Sequence, residues 1–474
     1  MAQNYPLEIN TGNFSLNISG VVGFFGGNEA IGAIQTIHHH KARKFLGWYN
    51  SPGSWAVGEK FGKLAKSRFW GGLFPGPDEE PTKFFELDGK QGPKYVASRS
   101  GSILEHTGHL AYLIMQKSKG ELGLEVNEGR ITKRNKITII KTQRVFDPLP
   151  RKEDKKPPDR EIPPRSRIPM FVAVLPIAVS FTTCALCGCT YDWFCFSMIL
   201  LGIVSSGIFS VVMGSARLKL QGVNSAPTAP PGDGMLMDGD NIVLLLGEEK
   251  DVATITRGSF ILEYDPWQGD DRESEGSLRP GKEPIIDEYN AVGWCSLLLV
   301  IQLLAQLLLI PQGTSFGQIM FLISFAASWA YNVYLSSINN KDIQEQLILE
   351  ELHLEEKHMR TYIFLTRTSA AVFACLMLQP DLGFKPEDII RNFIPNDTQV
   401  WDTWREKVLE VMKTRNGSKD TCDGLLKMNL EEETKSGEKT RFRQDERNLL
   451  KLLLDDARIA YHLAMKEKGW LEEN

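Results

Sequence analysis

The chain has 474 residues, 42% of them hydrophobic, and 54 Lys/Arg against 59 Asp/Glu give a formal net charge of −5. That length suits two or three folding units. An acidic total without a dense basic stripe argues against nucleic-acid binding, and seven cysteines are too few for a disulfide scaffold. The charge is segregated: residues 1–167 carry +9 and residues 214–289 carry −8.

In chain order, residues 1–12 hold Glu8 and no Lys or Arg, so no secretory signal is expected at the start. The first apolar stretch, Val21 to Ile37, is broken by Asn28, Glu29 and several glycines. Residues 1–146 are expected to form an N-terminal cytosolic α+β unit. In it Asn28 caps a helix through Ala30, Ile31, Ile34 and Ile37 into the basic run His38–Lys44. Strands are expected at Lys94–Ala97, Leu122–Val126 and Ile131–Val145, with a helix over Ser102–Lys117 between them. A Pro-rich charged linker over 147–167 follows. Its part from 151 to 167 has a net charge of +3 and is a candidate contact for anionic lipid.

A helix needs about 20 predominantly apolar residues to span a bilayer. Ile168–Gly188, Trp193–Met213, Ala291–Ile310 and Phe316–Leu335 qualify, and none contains Asp, Glu, Lys or Arg. The links within each pair are short, which predicts two tight hairpins, at 168–213 and 290–337. Arg151, Lys152, Lys155, Lys156, Arg160, Arg165 and Arg167 precede the first hairpin; Arg217 and Lys219 follow it. The short turns hold no basic residue, so both termini and the 214–289 loop are expected in the cytosol. Thr361–Leu378 is cut to about a dozen apolar residues by Arg360 and Arg367, and is read as an amphipathic helix rather than a fifth span.

Small residues recur every fourth position in the second segment, as Gly202, Ser206, Ser210 and Gly214. The fourth repeats the pattern with Ser324, Ser328, Asn332 and Ser336, and the third carries Gln302 and Gln306 one turn apart. These faces are expected to pack helices together within one bundle, with a subunit interface or pore lining as the alternatives. Trp193, Trp294, Tyr331 and Tyr334 fall near span ends, where amphipathic rings favour the interface.

Between the hairpins, a β-hairpin is expected from Ile242–Gly247 and Val252–Tyr264, turning through Glu248–Asp251 and followed by an acidic linker, Asp265–Pro284. The region 338–474 is expected to be cytosolic and helical. A polar helix should run over Asp342–Arg360. Trp401, Trp404, Val408 and Met412 mark an amphipathic helix capped near Asp397, and Leu450, Leu453, Ala457, Ala460 and Ala464 mark a terminal one. Residues 416–440 are polar.

Motifs that carry chemistry are weak. The run from Gly23 to Gly32 has Ala33 and Ile34 where a phosphate loop needs Lys and Ser/Thr. Glu350-x-x-His353 and Glu355-x-x-His358 resemble di-iron ligand pairs, but their histidines lie roughly 140° apart on one helix and cannot converge. His38, His39 and His40 fan around a helix, and His106 with His109 supply only two ligands. Cys184, Cys187, Cys189 and Cys195 form the densest cluster, read as packed thiols or as a disulfide across the first turn. No catalytic, cofactor-binding or metal residue is assigned, and no cofactor is expected.

The run IGAIQTIHHHKARKFLGWYNSPGSW, then RSGSILEHTGHLAYLI and IPNDTQVWDTW, together with the two hairpins, resemble an uncharacterised group of multi-pass membrane proteins from mushroom-forming fungi. The resemblance implies lineage and no activity. The expected fold class is therefore an α-helical multi-pass membrane protein, four transmembrane helices as two hairpins, with α+β cytosolic segments. The expected role is a membrane-anchored interaction or regulatory protein at the plasma membrane or an endomembrane. Its partners would be the lipid bilayer and an unknown protein. An oligomeric channel or transporter subunit is the alternative, and a membrane-bound enzyme the third.

Overall fold

A computed structural model describes residues 27–142 (apart from 52, 66, 78, 79, 127 and 128), 160–161, 170–264 (apart from 224 and 227), 290–338, 343–346, 359–378, 386–413 and 442–473. In chain order the elements are α1 (Gly27–Gln35), two 3-10 turns (Ile37–His39 and Lys41–Phe45), α2 (Trp55–Gly62), α3 (Arg68–Leu73), α4 (Pro81–Phe84), β1 (Lys94–Ala97), β2 (Ile103–Leu104), α5 (His109–Gly120), β3 (Leu124–Glu125), β4 (Asn135–Lys141) and β5 (Arg160–Glu161). There follow α6 (Met170–Cys189), α7 (Trp193–Met213), β6 (Ala216–Gln221), β7 (Gly234–Asp238), β8 (Asn241–Leu246), α8 (Glu249–Arg257), β9 (Ser259–Tyr264), α9 (Asn290–Leu309) and α10 (Ser315–Ser336). The chain closes with β10 (Met359–Phe364), α11 (Arg367–Leu378), α12 (Pro386–Phe393), α13 (Gln399–Lys413) and α14 (Gln444–Glu473).

These elements form two compact units. One comprises Met1–Gly89, Arg160–Leu220 and Phe260–Ile348; the other comprises Lys90–Asp159, Gln221–Ser259 and Leu349–Asn474. The expected N-terminal unit over 1–146 is thus divided after Gly89. The described residues of its first part, 27–89, are helices and turns packed on the long helices, whereas its strands need β7, β8 and β10 to complete their ladders.

The first unit holds four helices long and apolar enough to cross a membrane: Val172–Cys189, Trp193–Met213, Asn290–Gln312 and Ser315–Ser336. The helices α6 and α7 pack on each other. The second pair does not. Instead α9 lies along α7 and α10 along α6, while α9 and α10 make little mutual contact, because α2 packs on α9 and α1 on α10. Strands β5, β6 and β9 form a small sheet in this unit, and β5 falls within the expected linker.

The second unit is built on a seven-stranded sheet of order β2-β1-β7-β8-β4-β10-β3, in which β8–β4 and β10–β3 are parallel and the other pairs antiparallel. Alternation along β4 turns Ile137 and Ile139 toward a core shared with α11 and α14, while Thr138 meets Ser118 of α5 on the opposite face. The expected hairpin at 242–264 is corrected here. Strand β8 pairs with β7 through a turn at Gly239, whose φ is +62°, and Glu249–Arg257 is helical. A short apolar run such as Val252–Ile255 reads equally as strand or helix, so the turn at Asp238–Asn241 decides the pairing. The helix α11 is not amphipathic as expected: Thr368 to Leu378 are all buried, because the sheet and α14 enclose it. Strand β10 takes the end of the polar helix expected over 342–360, most of which, with residues 265–284 and 416–440, lies outside the described residues. The expected faces of α13 (Trp404, Val408) and α14 (Leu450, Leu453, Ala457, Ala460, Ala464) are buried in this core.

Candidate functional site

Between α1 and α2 the chain runs from Lys44 to Ser54 without a long regular element, and it does so among α6, α7, α9 and α10. Contacts mark its course. Lys44 lies against Gly214, at the end of α7; Gly47 approaches Ser206 and Ser210; Trp48 covers Gly207; and Asn50 with Ser51 meets Gly202. Gly53 then lies against Leu299 and Leu303 of α9, Gly58 against Ser296 and Val300, and Trp70 donates to Asn290 Oδ1 at the start of α9, 3.0 Å away. The segment therefore enters and leaves at the same end of the helices. At roughly 1.5 Å per residue, it descends about 18 Å from the level of Gly214 to that of Gly202.

A chain in this position carries backbone donors and acceptors that no helix or sheet satisfies, and in an apolar setting each needs a partner. Tyr49 N and Ser51 N bond within the segment, and the long helices supply three further partners. Asn50 N donates to Ser180 Oγ at 2.9 Å, Gln302 Nε2 donates to Ser51 O at 2.7 Å, and Gly53 N donates to Gln306 Oε1 at 2.9 Å. Two side-chain bonds complete the set: Asn50 Nδ2 to Ser324 Oγ at 2.6 Å and Tyr49 OH to Asn332 Oδ1 at 2.8 Å. Ser54 then accepts from Val57 N and caps α2, a helix of only 8 residues that starts deep among the long helices.

This placement corrects the partner of the small-residue faces. Gly202, Ser206, Ser210 and Gly214 admit the 44–51 segment rather than another long helix, and Ser324 and Asn332 bind its side chains. Ser328 donates within its own helix to Ser324 O. Gln302 and Gln306 do form hydrogen bonds away from α9, to the segment. Trp193, Trp294 and Tyr334 are exposed near helix ends, but Tyr331 is buried against Tyr49 and Arg43.

Arg43 is the charged member of the site, with 6% exposure. Its Nη2 donates to Ala33 O at 2.8 Å and its guanidinium lies 5.8 Å from the Tyr331 ring centre. A cavity of about 40 Å³ adjoins it, lined among others by Tyr49, Ser51, Ser206, Ser210 and Asn332.

At the other end, Asp192 is buried in the first turn and caps α7 by accepting from Cys195 N at 3.1 Å. The same carboxylate accepts from Thr314 N and Thr314 Oγ1, both at 2.7 Å, and so fastens the first turn to the start of α10. Cys184, Cys187 and Cys195 are free buried thiols packed with Ile199, Ile203 and Phe321, and Cys189 is a free exposed thiol. The structure thus has the packed thiols and no disulfide across the turn. His38 and His40 are buried, His38 edge-on to Phe85, and His109 Nδ1 accepts from Lys90 N. Among the described residues no three His, Cys, Asp or Glu side chains gather as metal ligands. Glu350, His353, Glu355 and His358 lie outside them.

Sequence reasoning missed Arg43, Tyr49 and Asn50. One signal pointed to them: a run from Ala30 to Gly58 without one Asp or Glu. The geometry defines a class: a helical protein with four membrane-length apolar helices around an inserted segment, with a mixed α/β unit. No protein-family model, curated protein or solved structure matches the chain.

Proposed function

We propose that the four apolar helices span a bilayer as two consecutive pairs, with both termini and the α/β unit in the cytosol. We propose further that the protein is a membrane-anchored interaction or regulatory protein whose working part is that cytosolic unit. The observation that supports this reading is the filling of the helical interior by the chain itself. Ser180, Gln302, Gln306, Ser324 and Asn332, the groups that would line a polar path, are hydrogen-bonded to the inserted segment. The charged flanks support the orientation, since cationic residues stay on the cytosolic side. The segment is then a re-entrant hairpin from the cytosolic face, and the bonds of Asn50 N, Ser51 O and Gly53 N to the helices support it at depth. Anionic lipid near 151–167 and a lineage in mushroom-forming fungi belong to the same proposal.

The second reading, an oligomeric channel or transporter subunit, draws support from the half-length helix α2 and the cavity beside it, since interrupted helices commonly mark substrate sites. Flux separates the two. Sealed vesicles containing the full chain are expected to lose ions and small polar solutes no faster than empty vesicles, and cross-linking in native membranes should join the cytosolic unit to a specific protein. Saturable flux that responds to Asn50→Ala would overturn the anchoring role.

A further inference from the structure

We propose that the cavity beside Arg43 binds one small oxyanion of the phosphate class, either free in solution or as the headgroup of an anionic lipid. From Ala30 to Gly58 the chain holds Lys41, Arg43 and Lys44 and no acidic residue. Among the described residues no carboxylate comes within ion-pair distance of Arg43; its buried Nη1 lacks a well-formed hydrogen bond, and the neighbouring Tyr331 hydroxyl, which lacks one too, is only a weak neutral acceptor beside it. A guanidinium removed from water is strongly disfavoured unless it is paired and hydrogen-bonded. One carbonyl and one ring face offset only part of that cost.

The cavity lies where the missing partner is needed. Arg43 lines it, together with the hydroxyl-bearing Ser51, Ser206 and Ser210 and the amide of Asn332. Ser54 and Val57 line it too, so the first turn of α2 faces the same space with the positive end of its dipole. A planar guanidinium fork flanked by hydroxyl donors and a helix N-terminus is the donor set of phosphate recognition. At about 40 Å³ the cavity holds a few waters or one compact anion, and excludes the body of a nucleotide. Lys44, the next residue, is level with the end of α7 at Gly214. A headgroup at the end of the apolar helices would therefore reach Arg43, as would free phosphate.

The test uses the purified full chain in phosphate-free neutral detergent, independently of any flux. Inorganic phosphate is expected to raise the melting temperature saturably, by about 2–4 °C, where sodium chloride of equal ionic strength does not. Arg43→Gln should lose the shift. Asn332→Asp should lose it too, because it keeps the acceptor for Tyr49 while placing a fixed negative charge in the cavity. If phosphate gives no shift, but phosphatidate in neutral-lipid nanodiscs stabilises the parent and neither variant, the headgroup is the source. Absence of both effects overturns the proposal, as does a full shift surviving in Asn332→Asp; the latter comparison does not depend on Arg43→Gln folding.

Discussion

Gly202 and Asn50 make a size-complementary pair, and that relation predicts an unusual coupling. A methyl group on Gly202 would collide with the Asn50 side chain, so Gly202→Ala should cost about 2 kcal/mol, the scale of an overpacked core. Asn50→Ala removes a single buried side-chain hydrogen bond, of about 1 kcal/mol. In combination Asn50→Ala should relieve the collision, leaving the double variant more stable in detergent than Gly202→Ala alone. Additive losses would mean that the segment does not seat there. Asp192 is the second decisive residue. Its carboxylate accepts three hydrogen bonds from two elements, so Asp192→Ala should lower stability by about 3 kcal/mol. Asp192→Asn, which keeps one acceptor oxygen, should lose less. Melting curves of the two variants check the order.

The long helices were legible because about 20 apolar residues without charge have few other uses. Their mutual arrangement was not. Short links imply adjacency, yet α9 and α10 part to admit α1, α2 and the segment between them. The small-residue faces therefore have a double role, allowing close approach and, through Ser324 and Asn332, binding side chains of the segment. Ser206→Leu or Ser210→Leu should expel the segment near Gly47 and lower the melting temperature more than leucine at the exposed Val204 of the same helix. In the other unit, α11 shows why an element cannot be assigned from its own sequence when every face is covered. Burial pushes the Cys375 thiol up to about 12, so it stays protonated and unreactive at neutral pH. Native protein with Cys422→Ser should accordingly take up maleimide at Cys189 and reach Cys375 only after unfolding. Rapid native labelling of Cys375 would contradict its place in the core.

Across the whole molecule the two units are interleaved in sequence, with the chain passing between them after Gly89, Asp159, Leu220, Ser259 and Ile348. No single contiguous cut frees either one. The fragment 1–146 contains β4, whose neighbours β8 and β10 both lie beyond it. It should therefore aggregate rather than melt cooperatively, since an unpaired strand edge is adhesive. Orientation is tested in sealed membranes: the exposed Cys189 should be labelled only from the non-cytosolic side. Asn396, exposed on the α/β unit, should carry no glycan despite its Asn-Asp-Thr acceptor pattern, and neither should Asn13, Asn17 or Asn416. Glycosidase-sensitive mobility would reverse the assignment.

Sequence by itself determined the four apolar helices, strand β1, the buried stripes of α13 and α14, and the inability of Thr361–Leu378 to serve as a long apolar helix. Each follows from local physics: run length, period, or a charge that interrupts a run. Only the tertiary structure decided where the Gly47–Gly53 segment goes, how residues 1–146 divide, and that β8 pairs with β7 rather than with Val252–Tyr264. Those outcomes depend on partners distant in sequence, such as Ser180, Gln306 and Ser324 for a stretch near residue 50. Hydrogen-bonding capacity is visible in a sequence, but the choice of partner is a property of the packed chain.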